Sequence, residues 1–230
     1  MACTTGDPAQ LTAERERQHW LDLRLGGLRP RTVPAAPLLP ATEPWTDRTV
    51  LWLDAPDGWP ADAPENQMQG GTLLDGLAGA LRLLHGVGID PLLPAVTNDD
   101  LVDAARRRVA AGTVDTTRFD RSRRHVAPSV ILEQVERLAA IVARRRPVAD
   151  TVVHGACRLE AVWLHGDRAA GFLDAAGLAV GDPYRDLAGL ARSLAGRFGP
   201  EGLPRFFAGY GLTDPDPVRL EFHALLDELR

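Results

Sequence analysis

Lysine is missing: all 26 basic side chains of this 230-residue sequence are arginine. That excludes chemistry built on a side-chain amine, such as a Schiff base or a lysine clamp on phosphates. Cysteine is scarce. Cys3 and Cys157 cannot make a disulfide framework, and no metal-site spacing surrounds them. No apolar run approaches the ~20 residues of a membrane span, and the segment from Met1 to Asp7 lacks a signal-peptide pattern. Positive charge is not in excess either. With 31 acidic groups the formal charge is −5, which disfavours nucleic acid as a partner. The arginine-rich runs at Arg106–Arg108, Arg121–Arg124 and Arg144–Arg146 read as solvated helix ends. The expectation is a soluble, cytoplasmic protein of roughly one to two domains, long enough to bury a core without metal or disulfide.

What is present is mostly helical periodicity. Leu11, Glu14, Arg17, Trp20 and Leu21 predict a first helix, stopped by Gly26-Gly27. Five prolines between Arg29 and Arg48 leave room only for a short or edge strand. Thr49–Leu53 is β-prone, and a turn cluster at Asp54–Gly58 opens a hinge-like stretch running to Gly71. Leu73, Leu74, Leu77, Leu81 and Leu84 form one helical stripe, and Asn98–Ala111 reads as another helix. A third runs from a Ser129 cap to Pro147. Short β-prone runs follow at Thr151–Val153, Ala161–Leu164 and Ala170–Leu173, the last two joined by a hairpin turn at His165–Arg168. Helices are expected again at Tyr184–Phe198, Gly202–Tyr210 and Pro217–Leu229.

From Val152 onward the residues form a recognisable series. Val152-Val-His-Gly155, Gly171-Phe-Leu-Asp174, Asp182-Pro-Tyr-Arg-Asp186-Leu-Ala, Tyr210-Gly and Leu225-Leu-Asp-Glu228 follow one another in order. Upstream, Arg108–Asp115 with Phe119-Asp120, Leu81–Gly86, and Glu14, Arg17 and Trp20-Leu21 extend the series over nearly the whole chain. This pattern resembles the aminoglycoside phosphotransferases, most closely the 3′-phosphotransferase branch. The resemblance implies an α+β, protein-kinase-like two-lobe fold. The lobes would be a truncated small N-terminal one at 1–58 and a mostly helical C-terminal one at 59–230 that carries the catalytic-loop hairpin.

The resemblance also places the chemistry, and the chemistry is incomplete. Phosphoryl transfer needs metal ions on the phosphates and a carboxylate orienting the attacking hydroxyl. The family carries both in a His-Gly-Asp-x-x-x-x-Asn loop, which here reads His154-Gly-Ala156-Cys157-Arg-Leu-Glu160-Ala161. Ala156 stands at the base position and Ala161 at the metal-ligating amide, and a methyl group does neither job. Glu160 and Asp174 remain as candidate catalytic carboxylates, with Asp174 alone as a weak metal ligand. Asp167 belongs to the hairpin turn. Asp186 is the aspartate expected to brace the loop, and His154 and Cys157 are expected to be structural. Glu14 matches a helix glutamate whose lysine partner this chain lacks. Thirteen residues before it are too few for a Gly-rich hairpin and a strand, so Glu14 should be solvated or paired to a local arginine. Trp52, Leu53 and Asp54 fall at the nucleotide-contacting hinge. Asp115, Asp120, Asp227 and Glu228 sit in segments that would face the amines of a sugar, with Arg230 beside them as a departure.

Three functions are compatible with these residues. The first is a catalytically impaired family member, a pseudoenzyme binding a small cationic sugar of aminoglycoside type or a partner, with no cofactor expected. The second is an active aminoglycoside O-phosphotransferase of antibiotic resistance or biosynthesis, using ATP and Mg²⁺ with rearranged residues. The third is a non-kinase enzyme of an antibiotic pathway that reuses the cleft.

Overall fold

The computed structural model describes residues 2–6, 8–25, 49–53, 56–67 and 70–230. The proline-rich segment and Asp54 lie outside them. β1 (Ala2–Gly6) pairs antiparallel with β2 (Thr49–Leu53), Ala2 opposite Leu53 and Gly6 opposite Thr49. One strand, which the sequence reading did not foresee, therefore precedes Glu14; a Gly-rich hairpin together with a strand is more than the thirteen residues were expected to hold, and β1 alone does not bear on that. Five residues of extended backbone, ~3.3 Å each, are enough to match the five of β2.

Between these strands runs α1 (Pro8–Arg24). Its inward face is Leu11, Glu14, Gln18 and Leu21, all 3% exposed or less, so the polar residue that turns inward is Gln18 rather than Arg17. Gln18 Nε2 donates to Glu14 Oε1 at 2.7 Å and to the Phe172 carbonyl at 3.0 Å. The Trp20 indole N–H donates to Asp90 Oδ2 at 3.0 Å, beside an Arg24–Asp90 ion pair. Partners for all but the buried Gln18 Oε1 and Arg17 Nε help the helix pack these polar groups inward.

The hinge-like stretch holds more order than its turn residues suggested. β3 (Trp59–Pro60) and the one-turn α2 (Pro64–Gln67) lie within it. β3 pairs with β5 (Val162–His165), which continues through the Gly166-Asp167 turn into β6 (Arg168–Phe172). Pro60 is tolerated because β3 is the edge of that sheet.

Two cores fill the remainder. In the first, α3 (Gly70–His85) packs its Leu73, Leu77, Leu81 and Leu84 stripe on Trp20 and Leu21 of α1 and on α6 (Tyr184–Phe198) and α7 (Leu203–Tyr210). β4 (Thr151–Val153) and β7 (Ala179–Gly181) form a two-stranded ribbon beside it. In the second, α4 (Asn98–Ala111), α5 (Pro128–Val142) and α8 (Pro217–Glu228) enclose Val102, Ile131, Val135, Phe222 and Leu225. Among the described residues no helix is long and apolar enough to cross a membrane.

Helix ends follow local chemistry. α4 begins with a capping box: Thr97 Oγ1 accepts from Asp100 N at 3.1 Å, and Asp100 Oδ2 accepts from Thr97 N at 2.9 Å. Thr97→Ala should lower stability by about 1 kcal/mol, read as a shift of the urea midpoint at constant slope. No change would mean that solvent replaces the cap without loss. α5 corrects the expected Ser129 cap. Its N-cap is Ala127 with no side-chain bond, because Pro128 at the first helical position already supplies the helical φ and has no N–H to satisfy. It also ends at Val142, five residues before Pro147.

Candidate functional site

β4 delivers the chain into the loop His154–Ala161, and Asp186 near the start of α6 fixes it there. The fully buried Asp186 carboxylate accepts from His154 N at 2.6 Å, Gly155 N at 2.8 Å and His85 Nε2 at 3.1 Å. His85 Nδ1 in turn meets Tyr210 Oη at 2.8 Å. With Nε2 donating to the carboxylate, Nδ1 is left to accept from the tyrosine hydroxyl. Burial by itself would push the Asp186 carboxyl up, but the hydrogen bond and charge of His85, the neighbouring His154 ring and the Gly155 N–H outweigh it and hold it at about 2. Gly155 has φ 83°, and a Cβ there would fall 2.2 Å from the Gly177 carbonyl oxygen. Only glycine fits that turn.

The loop presents Ala156 to a cleft of about 490 Å³ that is also walled by Glu14, Arg108, Asp174, Arg185 and Arg230. A smaller cavity of about 30 Å³, room for roughly one water, adjoins it between Ala156, Arg185, His223, Asp227 and Arg230. Asp174 stands on the rim, exposed, in a left-handed conformation with φ 57°. Ala161 is buried, and its carbonyl accepts from Leu173 N at 2.8 Å.

Glu14 is not solvated, and among the described residues it is not paired to an arginine, which corrects the sequence expectation. It is 3% exposed and accepts from Ala176 N at 2.6 Å as well as from Gln18. A main-chain amide two residues after Asp174 and the Gln18 side chain are its donors, and they tie α1 to the cleft.

His154 and Cys157 offer no nucleophile–base pair. The His154 Nε2 meets the Leu173 carbonyl at 2.8 Å. Burial, with the Asp186 charge behind it, pushes the Cys157 thiol well above its ordinary value. Glu160 is exposed in the 3₁₀ turn Leu159–Ala161, and neither it nor Asp167 lines the cleft. Trp52 and Leu53 lie at the end of β2, and Asp54 lies outside the described residues.

The four acids assigned to a sugar's amines already have partners in this chain. Asp115 caps a 3₁₀ turn through Thr117 N at 3.0 Å, and Asp120 caps another through Ser122 N at 2.9 Å. Asp227 lies 2.9 Å from Arg158, 3.4 Å from Arg192 and 3.5 Å from Arg230. Glu228, almost wholly buried, accepts from Arg123 Nη2 at 2.8 Å and from Asp120 N at 3.2 Å, with Arg192 at 3.4 Å. Arg123 is thus part of this network, which corrects the reading of its run as wholly solvated. Of these four, Asp227 lines the smaller cavity and none lines the larger cleft.

Arg185 is what sequence reasoning missed, and Arg230 was noted only as a departure beside the acids. Arg230 donates to the Gly155 carbonyl. The Arg185 guanidinium carbon lies 2.9 Å from where a Gly155 Cβ would stand, and its buried Nε has no hydrogen-bond partner. Burial and the Arg230 charge pull Arg185 down to about 10, so it is still protonated at neutral pH. Its motif position named it only as a neighbour of Asp186.

A divalent metal does not fit these groups well. Among the described residues no three His, Cys, Asp or Glu side chains gather to hold one. In the cleft Glu14 is committed to α1 and Ala176, which leaves Asp174.

Comparison with known proteins agrees with the motif order. Residues 4–223 match the model of the phosphotransferase enzyme family. An aminoglycoside 3′-phosphotransferase of Escherichia coli is 31% identical over 157 residues, which is 68% of this chain and 56% of that protein. The streptomycin 3″-kinase of Streptomyces griseus is 34% identical over 239 residues, covering 97% of this chain and 81% of that one. Two solved structures cover 99% of the chain. The aminoglycoside phosphotransferase APH(3″)-Id of Streptomyces rimosus, in complex with ADP and streptomycin, superposes with a TM-score of 0.76 at 27% identity over 85% of its own length. A type VIII aminoglycoside-3′-phosphotransferase does so at 0.79 with 26% identity over 84% of its length. The fold is therefore the protein-kinase-like α+β fold of these enzymes, and the chain belongs to the aminoglycoside phosphotransferase family.

Proposed function

We propose that this chain keeps the family's ligand cleft but is impaired as a phosphotransferase, and acts by binding a small sugar-type ligand. Residues 1–58 would be its small lobe and 59–230 its helical lobe. What supports the reading is Ala156, which lines the cleft on a loop braced by Asp186 and stands where the resemblance expects the base, with a methyl in place of a carboxylate. Loss of a general base alone costs about 10²–10⁴ in rate. Ala161 and the single free carboxylate in the cleft add a weakened hold on Mg²⁺.

A second reading has one point in its favour. Asp174 faces the cleft with no partner among the described residues, so it is free to take a cation, and the relatives are named as kinases. A coupled assay with Mg-ATP and an aminoglycoside panel separates the two. Turnover should not exceed that of the Asp174→Ala variant, while calorimetry with the same sugars should show binding. A rate that Asp174→Ala abolishes would establish an active enzyme instead.

A further inference from the structure

The surroundings of Ala156 are rich in positive charge. Around Ala156 the cavity walls carry Arg108, Arg185 and Arg230. Both Arg185 and Arg230 converge on Gly155, the first by its 2.9 Å approach to the Cβ position and the second through the carbonyl. The acids nearby, Asp186 and Asp227, offset Arg185 and Arg230 only in part. Asp227 is shared among Arg158, Arg192 and Arg230, and Asp186 is closed off by His85 and two backbone amides. Asp174 and Glu14 belong to the larger cleft, and Glu14 is committed to Gln18 and Ala176. Arg108 is exposed to the cleft, and Arg185 keeps a buried N–H with no acceptor. Unpaired donors on converging like charges are costly unless an anion completes them. A guanidinium fork matches the oxygens of a phosphate.

We propose that Arg108, Arg185 and Arg230 form an oxyanion site beside Ala156, taking a phosphate group of the bound ligand. The site deepens the binding role above, since it needs this cleft to be the ligand site, but it does not need phosphotransfer to have been lost. The shared chemistry is a phosphate oxyanion, and two sources are distinguishable: a sugar phosphate and the phosphate chain of a nucleotide.

Calorimetry and thermal unfolding with inorganic phosphate, glucose 6-phosphate and metal-free ATP test it at low ionic strength, where screening is weakest. Phosphate should bind and raise the melting temperature of the wild type. Arg185→Met should weaken that binding by about 10- to 100-fold, the loss of one charge-assisted contact. Its melting temperature without phosphate should be unchanged or higher, because a buried unpaired charge is gone. That second result separates a lost site from a lost fold, and Arg185→Lys should restore part of the affinity. Arg106→Gln, on the opposite face of α4 in pairs with Asp103 and Glu136, is the neutral control. Tighter binding of glucose 6-phosphate or of ATP than of phosphate supports the site and names the source. Failure of phosphate to bind, or binding that Arg185→Met leaves intact, overturns it. Turnover in the coupled assay with phosphate binding retained would remove the impaired-enzyme reading and leave this site standing.

Discussion

Asp186→Ala should cost about 3–5 kcal/mol, as expected when one member of a buried, charged hydrogen-bond network is removed. A typical domain holds only about 5–15 kcal/mol in all, so the variant should sit near its folding threshold. The cause is specific. Two amides of the loop, His154 N and Gly155 N, and the His85 ring lose their acceptor together. Nothing else in the buried site can replace it, and Tyr210 beyond His85 loses its fixed partner too. The pH dependence gives an independent check. Asp186 is held at about 2 against an ordinary 3.8. Its contribution is therefore complete above pH 4 and is lost as pH falls from there toward 2, amounting to about 2 kcal/mol across that window. The wild type should show this acid-side loss and Asp186→Ala should lack it. Urea titrations at neutral pH and near pH 3 measure both, and a neutral-pH cost below about 1 kcal/mol would show that the brace is dispensable.

Glu228→Ala should cost about 3 kcal/mol for the same class of reason. Glu228 joins the end of α8 to the segment carrying Asp120 and Arg123, and it accepts from both. Without it Arg123 and Arg192 lose a buried partner. The 3₁₀ turns at Thr116–Arg118 and Arg121–Arg123 then lose their anchor to α8. Trypsin should cut after Arg121 or Arg124 faster in this variant. Glu221→Ala removes a half-exposed partner 3.6 Å from Arg123 and should stay within about 0.5 kcal/mol of the wild type. Equal cutting of all three proteins would mean that the segment is held by something other than Glu228.

The contrast between Asp186 and Glu14 shows what was legible in the sequence. Asp186 announced its role because its motif lies in a fixed order with His154-Gly155, and its partners are the loop's own amides. Helix spans were legible for a related reason. Asn98–Ala111 and Tyr184–Phe198 match their predicted bounds, since periodicity and end signals are local. Glu14 was misread because its acceptor role is satisfied by Ala176 N, 162 residues away, and a backbone donor leaves no mark in composition. β1 was missed because five residues of ordinary composition take their order from β2. The arginines of the cleft were hidden by convention. An arginine on a helix is normally solvated, and only the packing of α4, α6 and the chain beyond α8 around Gly155 brings Arg108, Arg185 and Arg230 together.

The left-handed aspartate on the cleft rim has one more consequence. Asp174 is the only non-glycine residue with positive φ among the described residues. Such a backbone is about 1 kcal/mol less favourable for a residue with a Cβ than for glycine. Glycine there would give a steadier protein and would erase the last uncommitted carboxylate in the cleft. The chain thus trades rigidity for an acidic group at one spot on the rim, beside the loop that carries Ala156. A substitution to glycine at that rim would therefore separate backbone strain from charge in one measurement.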